Sequence, residues 1–295
     1  MAEKKLSFAI FGNDRQAKES ASIAEQLKCF ANRNAEIYME ESFYIALKKA
    51  MRRDLDVNSV FEGSNFEADY AVSMGGDGTF LKAARFVGPK NIPIIGVNMG
   101  RLGFLANVLP DEIPSMLNDV YAGNFDIDER AVIKLESENE QIKAYPYALN
   151  DIAILKRDMA SMISIHTSIN DEYLVTYKAD GLIVSTPTGS TAYSLSNGGP
   201  IMVPQSGILS LTAVAPHSLN IRPVVISDED VIKLEVESRS HNYLVAIDGR
   251  SEKLKEGTTV TIRKAPFRIR ILKPRGHHYF PTLRSKMMWG ADTRE

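Results

Sequence analysis

Three glycines and one carboxylate meet at Gly75-Gly76-Asp77-Gly78, between the strand-like run Ala68 to Met74 and a stretch of helical period that opens at Thr79. Without Cβ atoms the backbone turns sharply and brings its N–H groups against an anion, and the positive end of the following helix dipole adds to the attraction. Such a junction suits phosphate. Asp77 is the odd member, since a carboxylate among phosphate-facing amides repels the ligand unless it takes a proton or holds a divalent cation. Gly-Asp-Gly is also ordinary turn vocabulary. Lys82, one turn into the helix, is either a positive charge near a phosphate or a surface lysine whose head reaches water.

Two further segments carry candidate chemistry. Gly96-Val97-Asn98-Met99-Gly100-Arg101-Leu102-Gly103-Phe104 follows the apolar run IPIIGV. In a parallel sheet, ligand crevices lie outside the carboxyl ends of strands, so this loop is expected beside the Gly75–Gly78 loop, with a plain strand-to-helix turn as the alternative. The block Asp180 to Pro200 concentrates hydroxyls at Ser185, Thr186, Thr188, Ser190, Thr191, Ser194 and Ser196, with Tyr193 among them. Those hydroxyls can donate to phosphate and ribose oxygens, and Tyr193 offers a flat face for a base or sugar. Hydroxyl-rich strands and turns are also common in β domains. No G-x-G-x-x-G opening and no Walker-A loop is present, which argues against an ordinary Rossmann dinucleotide site or a P-loop.

The elements that must position these loops fall into two textures. Short apolar runs alternate with helical periods through IPIIGV, which is α/β order with a mostly parallel sheet covered on both faces. From about Ile127 the segments are short, rich in β-branched residues and separated by turn residues, including Asn170-Asp171, which reads as an all-β, sandwich-like domain. Pro281 to Gly290 is expected to be helical, with Leu283, Met287 and Met288 on one apolar face, and to pack back on the first domain. The expected boundaries are 1–126 for the α/β domain carrying the glycine loop, 127–275 for the β-rich domain and 276–295 for the returning tail. With no low-complexity linker, the two domains are expected to share a firm interface and a cleft.

Composition removes several function classes. Thirty-five basic residues face 37 acidic ones over 295 positions, so no global field draws in nucleic acid or a membrane surface, and an anionic ligand must be held locally. The basic concentration Arg268 to Lys286 reads as a solvated strand edge and helix face. No run approaches the roughly 18 apolar residues of a membrane span, and the early stretch Leu6 to Gly12 is too short for a signal peptide, so a cytoplasmic location is expected. Cys29 stands alone, cannot form an internal disulfide and reads as packing.

Taken together, Gly75-Gly76-Asp77-Gly78-Thr79, Asn98 through Leu105, Asn150-Asp151 and Asp180-Gly181 through Pro200 resemble, in order and spacing, the motifs of the bacterial type of NAD kinase (ATP-NAD kinase) family. The resemblance runs from about Phe8 to Trp289. GGDG is shared with lipid kinases and phosphofructokinases, whereas the run Thr186 to Ser194 is the specific part. What the resemblance implies is a Rossmann-like first domain and ATP-dependent phosphorylation of the adenosine 2′-hydroxyl of NAD, giving NADP, with a divalent cation such as Mg²⁺. Asp77 would be the general base, and Gly75, Gly76, Gly78 and Thr79 would surround the transferred phosphoryl group. Asn150 and Asp151 would meet the adenine side, Asp180 the nicotinamide end or its ribose, and Thr191, Ala192, Tyr193, Ser194, Leu195 and Ser196 would line the dinucleotide. Gly78, Lys82 and Ala215 join that set. Lys178 stands where relatives often carry Arg and would meet a 2′-phosphate as a point charge; Arg250 stands where some have Gln, and Ser161 where some have His. A homodimer or homotetramer is implied as well.

Three rival readings stand beside it, of which a purely structural β-rich interaction protein leaves the glycine loops unexplained. A lipid kinase would share GGDGT but needs an apolar acceptor tunnel, for which Thr186 to Ser196 is too polar. A non-catalytic NAD or NADP sensor gains nothing from a carboxylate beside two phosphates.

Overall fold

The computed structural model describes residues 5–100, 103–158 and 161–288; Arg101, Leu102, Trp289 and Gly290 of the sequence segments above lie outside them. The chain forms two units, one made of the residues through Glu129 and from Ile269 onward, the other of Arg130–Arg268.

The first unit alternates strand and helix: β1 (Ser7–Phe11), α1 (Ser20–Ala31), β2 (Glu36–Glu40), α2 (Glu41–Met51), β3 (Ser59–Phe61), β4 (Tyr70–Met74), α3 (Asp77–Val87), β5 (Ile94–Val97) and α4 (Ile113–Ala122). The strands are parallel in the order β3-β2-β1-β4-β5. Because side chains alternate along a strand, Phe8 and Ile10 of β1 join a core with Leu27 and Phe30 of α1, Phe43 and Leu47 of α2, and Leu117 of α4. Phe11 points the other way and meets the rings of Phe61, Phe66 and Phe86 at centroid distances of 5.4, 5.5 and 6.1 Å. Both faces are covered, as a parallel sheet requires, and each fully buried Phe or Leu contributes roughly 1.5–3 kcal/mol. Cys29, in α1, is half-buried against this core, with Sγ 3.6 Å from the Glu25 carbonyl.

The second unit is built from antiparallel strand pairs. It takes in the latter part of β6 (Phe125–Ser137), then β7 (Tyr147–Ala148), β8 (Asp151–Lys156), β9 (Ile163–Ile169), β10 (Glu172–Ala179), β11 (Gly181–Ser185), the single helical turn α5 (Tyr193–Ser196), β12 (Ile208–Val214), β13 (Val224–Ser227), β14 (Ile232–Glu237), β15 (Asn242–Ile247), β16 (Arg250–Lys255) and the first part of β17 (Val260–Pro274). Six strands follow the order β13-β12-β11-β8-β15-β16, and β10-β9-β14 with β17 form the second layer. Ile152, Leu182 and Leu211 from the first layer share one buried cluster with Ile165, Leu234 and Ile262 from the second, which makes the expected sandwich. Asn170 and Asp171 turn β9 into β10 with φ of 51° and 66°, the left-handed pair of a two-residue hairpin.

The last residues of β17 return to the first unit, where Ile271 pairs in parallel with Ile94 of β5, and α6 (Tyr279–Met287) follows. The expected apolar face of α6 is narrower than its spacing predicts. Leu283 is buried at 2% exposure, but Met287 is 37% and Met288 74% exposed, because Met288 ends the helix in a left-handed conformation and no longer follows its period.

Candidate active site

In the first unit the strand order places the carboxyl ends of β1 and β4 side by side at the point where the winding changes direction, which is where open α/β sheets take their ligands. The loop after β4 is built by distinct glycines. The Gly75 N–H donates to the Val97 carbonyl at 2.9 Å, and a Cβ there would strike the Thr79 side chain, 2.8 Å from its Cβ. Gly75 therefore serves packing, which corrects the expectation of a phosphate-facing amide. Gly76 and Gly78 face open space, since a Cβ on either meets nothing within 4 Å. Thr79 is buried, and its Oγ1 accepts from Asn13 Nδ2 at 3.1 Å, tying the loop after β1 to the start of α3.

Asp77 opens α3 and holds the second glycine-rich segment. Its Oδ2 accepts the Phe104 N–H at 2.9 Å, while Oδ1 accepts those of Leu105 at 3.0 Å and Ala106 at 3.3 Å. The loops after β4 and β5 are joined as expected, through one side chain. A carboxylate offers about four acceptor positions, so one remains, on Oδ2. The close approach depends on Gly103, where a Cβ would lie 2.8 Å from Asp77 Cγ.

Lys82 is directed elsewhere than the phosphate reading expects. Its Nζ donates to the Gly12 carbonyl at 3.1 Å, Glu40 Oε2 at 2.9 Å and Ser42 Oγ at 2.9 Å, which engages all the protons of an ammonium. Glu40 in turn caps α2 by accepting the Phe43 N–H at 3.1 Å. Burial pushes the Glu40 carboxyl up, but the hydrogen bonds from Lys82 and Ser42, the Lys82 charge and the Phe43 N–H together hold it below the usual carboxylate range.

In the second unit the step from β7 to β8 is the organised feature. Asp248 Oδ2 accepts the Leu149 N–H at 2.9 Å, and Oδ1 accepts those of Asn150 at 2.8 Å and Asp151 at 3.2 Å. Behind that step, Thr186 Oγ1 donates to the carbonyls of Leu149 at 2.6 Å and Asn150 at 3.1 Å, and the Thr186 N–H adds a bond to Asn150 at 2.9 Å. Gly189 packs so closely that a Cβ would sit 2.5 Å from the Asn150 carbonyl carbon. Asp151 is buried, and desolvation, then the Asp248 charge, push its carboxyl up to about 7. Asp248 is also raised by burial, against the pull of its three N–H donors and Arg250.

The hydroxyl block divides into structural and accessible members. Ser190 Oγ donates to the Pro187 carbonyl at 2.7 Å and accepts the Met202 N–H at 3.0 Å, and Ser194 Oγ lies 3.1 Å from Thr212 Oγ1, both side chains being fully buried. The expected ligand-facing Ser194 hydroxyl is thus turned inward, because Gly199 closes over it. Tyr193 and Ser196 are exposed, and Thr191, Ala192 and Leu195 are half-buried. Asp180 is paired with Lys156 at 2.7 Å, its N–H bonded to Val214 next to Ala215. Lys178 and Ser161 line one open cavity of about 770 Å³ with His217 and Arg239. Arg250 donates to the Tyr147 carbonyl at 3.4 Å.

Sequence reasoning missed Asp248 and Glu40. The signal for Asp248 was legible, since Asp-Gly between two alternating runs is the favoured two-residue hairpin turn, and φ of 45° and 76° at Asp248 and Gly249 realise it. Glu40 had no local signal, because its partner lies 42 residues away.

Comparison with known proteins agrees with this arrangement over nearly the whole chain. The family model for the ATP-NAD kinase N-terminal domain matches residues 8–125, and that for the C-terminal domain matches 149–273. An NAD kinase of Bacteroides fragilis is 54% identical over 289 residues, covering 98% of this chain and 100% of that protein. Among solved structures, a yeast NADH kinase complexed with NADH shares the fold with a TM-score of 0.88 at 19% identity, covering 99% of this chain and 90% of the other. An NAD kinase from Archaeoglobus fulgidus in complex with ATP gives a TM-score of 0.73 at 25% identity, covering 96% and 99%. With both domain models matched in order and a relative more than half identical end to end, the chain belongs to the ATP-NAD kinase family, enzymes that phosphorylate NAD at the expense of ATP.

Proposed function

We propose that the chain transfers the terminal phosphoryl group of ATP to the 2′-hydroxyl of the adenosine ribose of NAD, giving NADP, with Asp77 accepting the hydroxyl proton. The observation that carries this reading is the Asp77 carboxylate itself. Three backbone N–H groups fix its orientation and leave one acceptor position on Oδ2. A ribose hydroxyl is a weak nucleophile at neutral pH, so a carboxylate that takes its proton as attack begins lowers the barrier by a typical factor of about 10²–10⁴. The open backbone at Gly76 and Gly78, at the positive end of α3, receives the transferring phosphoryl group, and its alignment supplies most of the remaining rate.

Asn150, Asp151, the exposed face of Tyr193 and Ser196 bind the dinucleotide in this reading, with Lys178 and Arg250 as its cationic neighbours. Mg²⁺ is the cation proposed. Held through substrate phosphates and water, it would neutralise phosphate charge when bound, and the remaining Asp77 Oδ2 position stays with the ribose hydroxyl. Assembly as a homodimer or homotetramer, in the cytoplasm, is part of the same proposal. Turnover by the Asp77→Asn variant tests the role: NAD affinity kept and NADP formation reduced at least about 100-fold supports it, and an unchanged rate removes Asp77 from the chemistry.

A further inference from the structure

Three successive backbone N–H groups converging on one point form an anion-binding concavity. In the second unit the anion is internal: the Asp248 carboxylate holds Leu149, Asn150 and Asp151 at 2.8 to 3.2 Å. Asp248 stands at the tip of the β15–β16 hairpin, and its own N–H donates to the Asp151 carbonyl at 3.0 Å. The tip therefore grips β8 through both backbone and side chain. The opposite side of the same step, the carbonyls of Leu149 and Asn150, is gripped by Thr186. Asn150 thus lies between two clamps, and its Oδ1 is buried with no hydrogen-bond partner among the described residues. An amide oxygen left in that condition destabilises the fold unless a ligand donor reaches it. The step carries a second cost, the close Asp151 and Asp248 carboxyls.

We propose that Asp248 is a positioning residue for NAD: its carboxylate fixes the Leu149–Asp151 step, and through it the Asn150 side chain and the turn from Thr186 to Gly189, in the geometry that receives the dinucleotide. This rests on the assignment of Asn150 and Asp151 to NAD made above. With its carboxylate engaged by three backbone N–H groups, Asp248 acts through the step it holds, so its loss weakens binding of NAD and leaves the chemical step.

The test is Asp248→Asn, which removes the charge and one acceptor but keeps the turn, because Asn-Gly suits a two-residue hairpin as well as Asp-Gly. Asp248→Gly is the second variant, since Gly-Gly also fits the turn. For both, folding is followed by circular dichroism, NAD affinity by calorimetry and turnover by NADP formation. The expected result is a folded protein whose KM and dissociation constant for NAD rise at least tenfold while kcat stays within about threefold. Unchanged affinity in a folded variant overturns the proposal, as does a loss confined to kcat. Failure of both variants to fold also overturns it, making the carboxylate a stability element. Calorimetry needs no turnover, so wild-type protein that binds NAD without making NADP would defeat the kinase assignment while leaving this one testable.

Discussion

Asp77 Oδ2 accepts the backbone N–H of Phe104 at 2.9 Å, across 27 residues of chain. One side chain thereby sets both the start of α3 and the loop after β5. The group assigned to take a proton is held by backbone donors whose positions depend on the fold of that loop.

Gly103→Ala tests this without removing the carboxylate. The added Cβ would fall against Asp77, 2.8 Å from Cγ, so the carboxylate or the loop must shift by more than a few tenths of an ångström. A misplacement of that size at a reacting group costs about 10- to 100-fold in kcat. Steady-state kinetics should show that loss with KM for NAD little changed. Wild-type kcat in the variant would mean that the position of Asp77 does not matter.

Lys82 is read as a structural cation by its contacts, and pH separates that from phosphate binding. Glu40 has a lowered pKa in the folded protein, so its pairing stabilises the fold above the ordinary carboxylate value near 4.5 and is lost as pH falls through the lower folded value. Lys82→Met should lower stability at pH 7 by about 2 kcal/mol, less than the ~3–5 of a fully buried pair because the Lys82 side chain is 22% exposed. The difference in Tm between variant and wild type should shrink below about pH 4. A gap that stays constant from pH 7 to pH 3 would sink the ion-pair account.

Ser194 and Tyr193 are neighbours with opposite expectations. The Ser194 hydroxyl faces Thr212 inside the second unit, so Ser194→Ala should cost stability of about 1 kcal/mol and leave KM for NAD unchanged. Tyr193 is 40% exposed, and Tyr193→Ala should raise KM about tenfold through loss of ring contact. If Ser194→Ala raises KM as much as Tyr193→Ala, the division of the hydroxyl block is wrong.

The sequence was most informative where chemistry is local. Gly75 to Thr79 announced a strand-to-helix loop, and Asn170-Asp171 announced a hairpin, because backbone conformations of that kind restrict residue type over a few positions. It was least informative where a side chain finds a distant partner. Nothing near Lys82 points to Glu40, and nothing near Asp248 points to Leu149–Asp151, 97 to 99 residues away. The Thr186 to Ser196 block shows both limits. Its composition signalled an unusual segment, but which hydroxyls turn inward depends on Gly189 and Gly199 packing against Asn150 and Ser194, a property of the fold.

The measurement closest to the central claim is NADP formation by the purified chain with NAD, ATP and Mg²⁺, read by a dehydrogenase that accepts only NADP, for wild type and Asp77→Asn side by side. The account predicts ATP-dependent NADP from the wild type and a rate reduced at least about 100-fold in the variant, with NAD still bound. Wild-type protein that is folded and binds NAD but forms no NADP, or a variant as fast as the wild type, would contradict it.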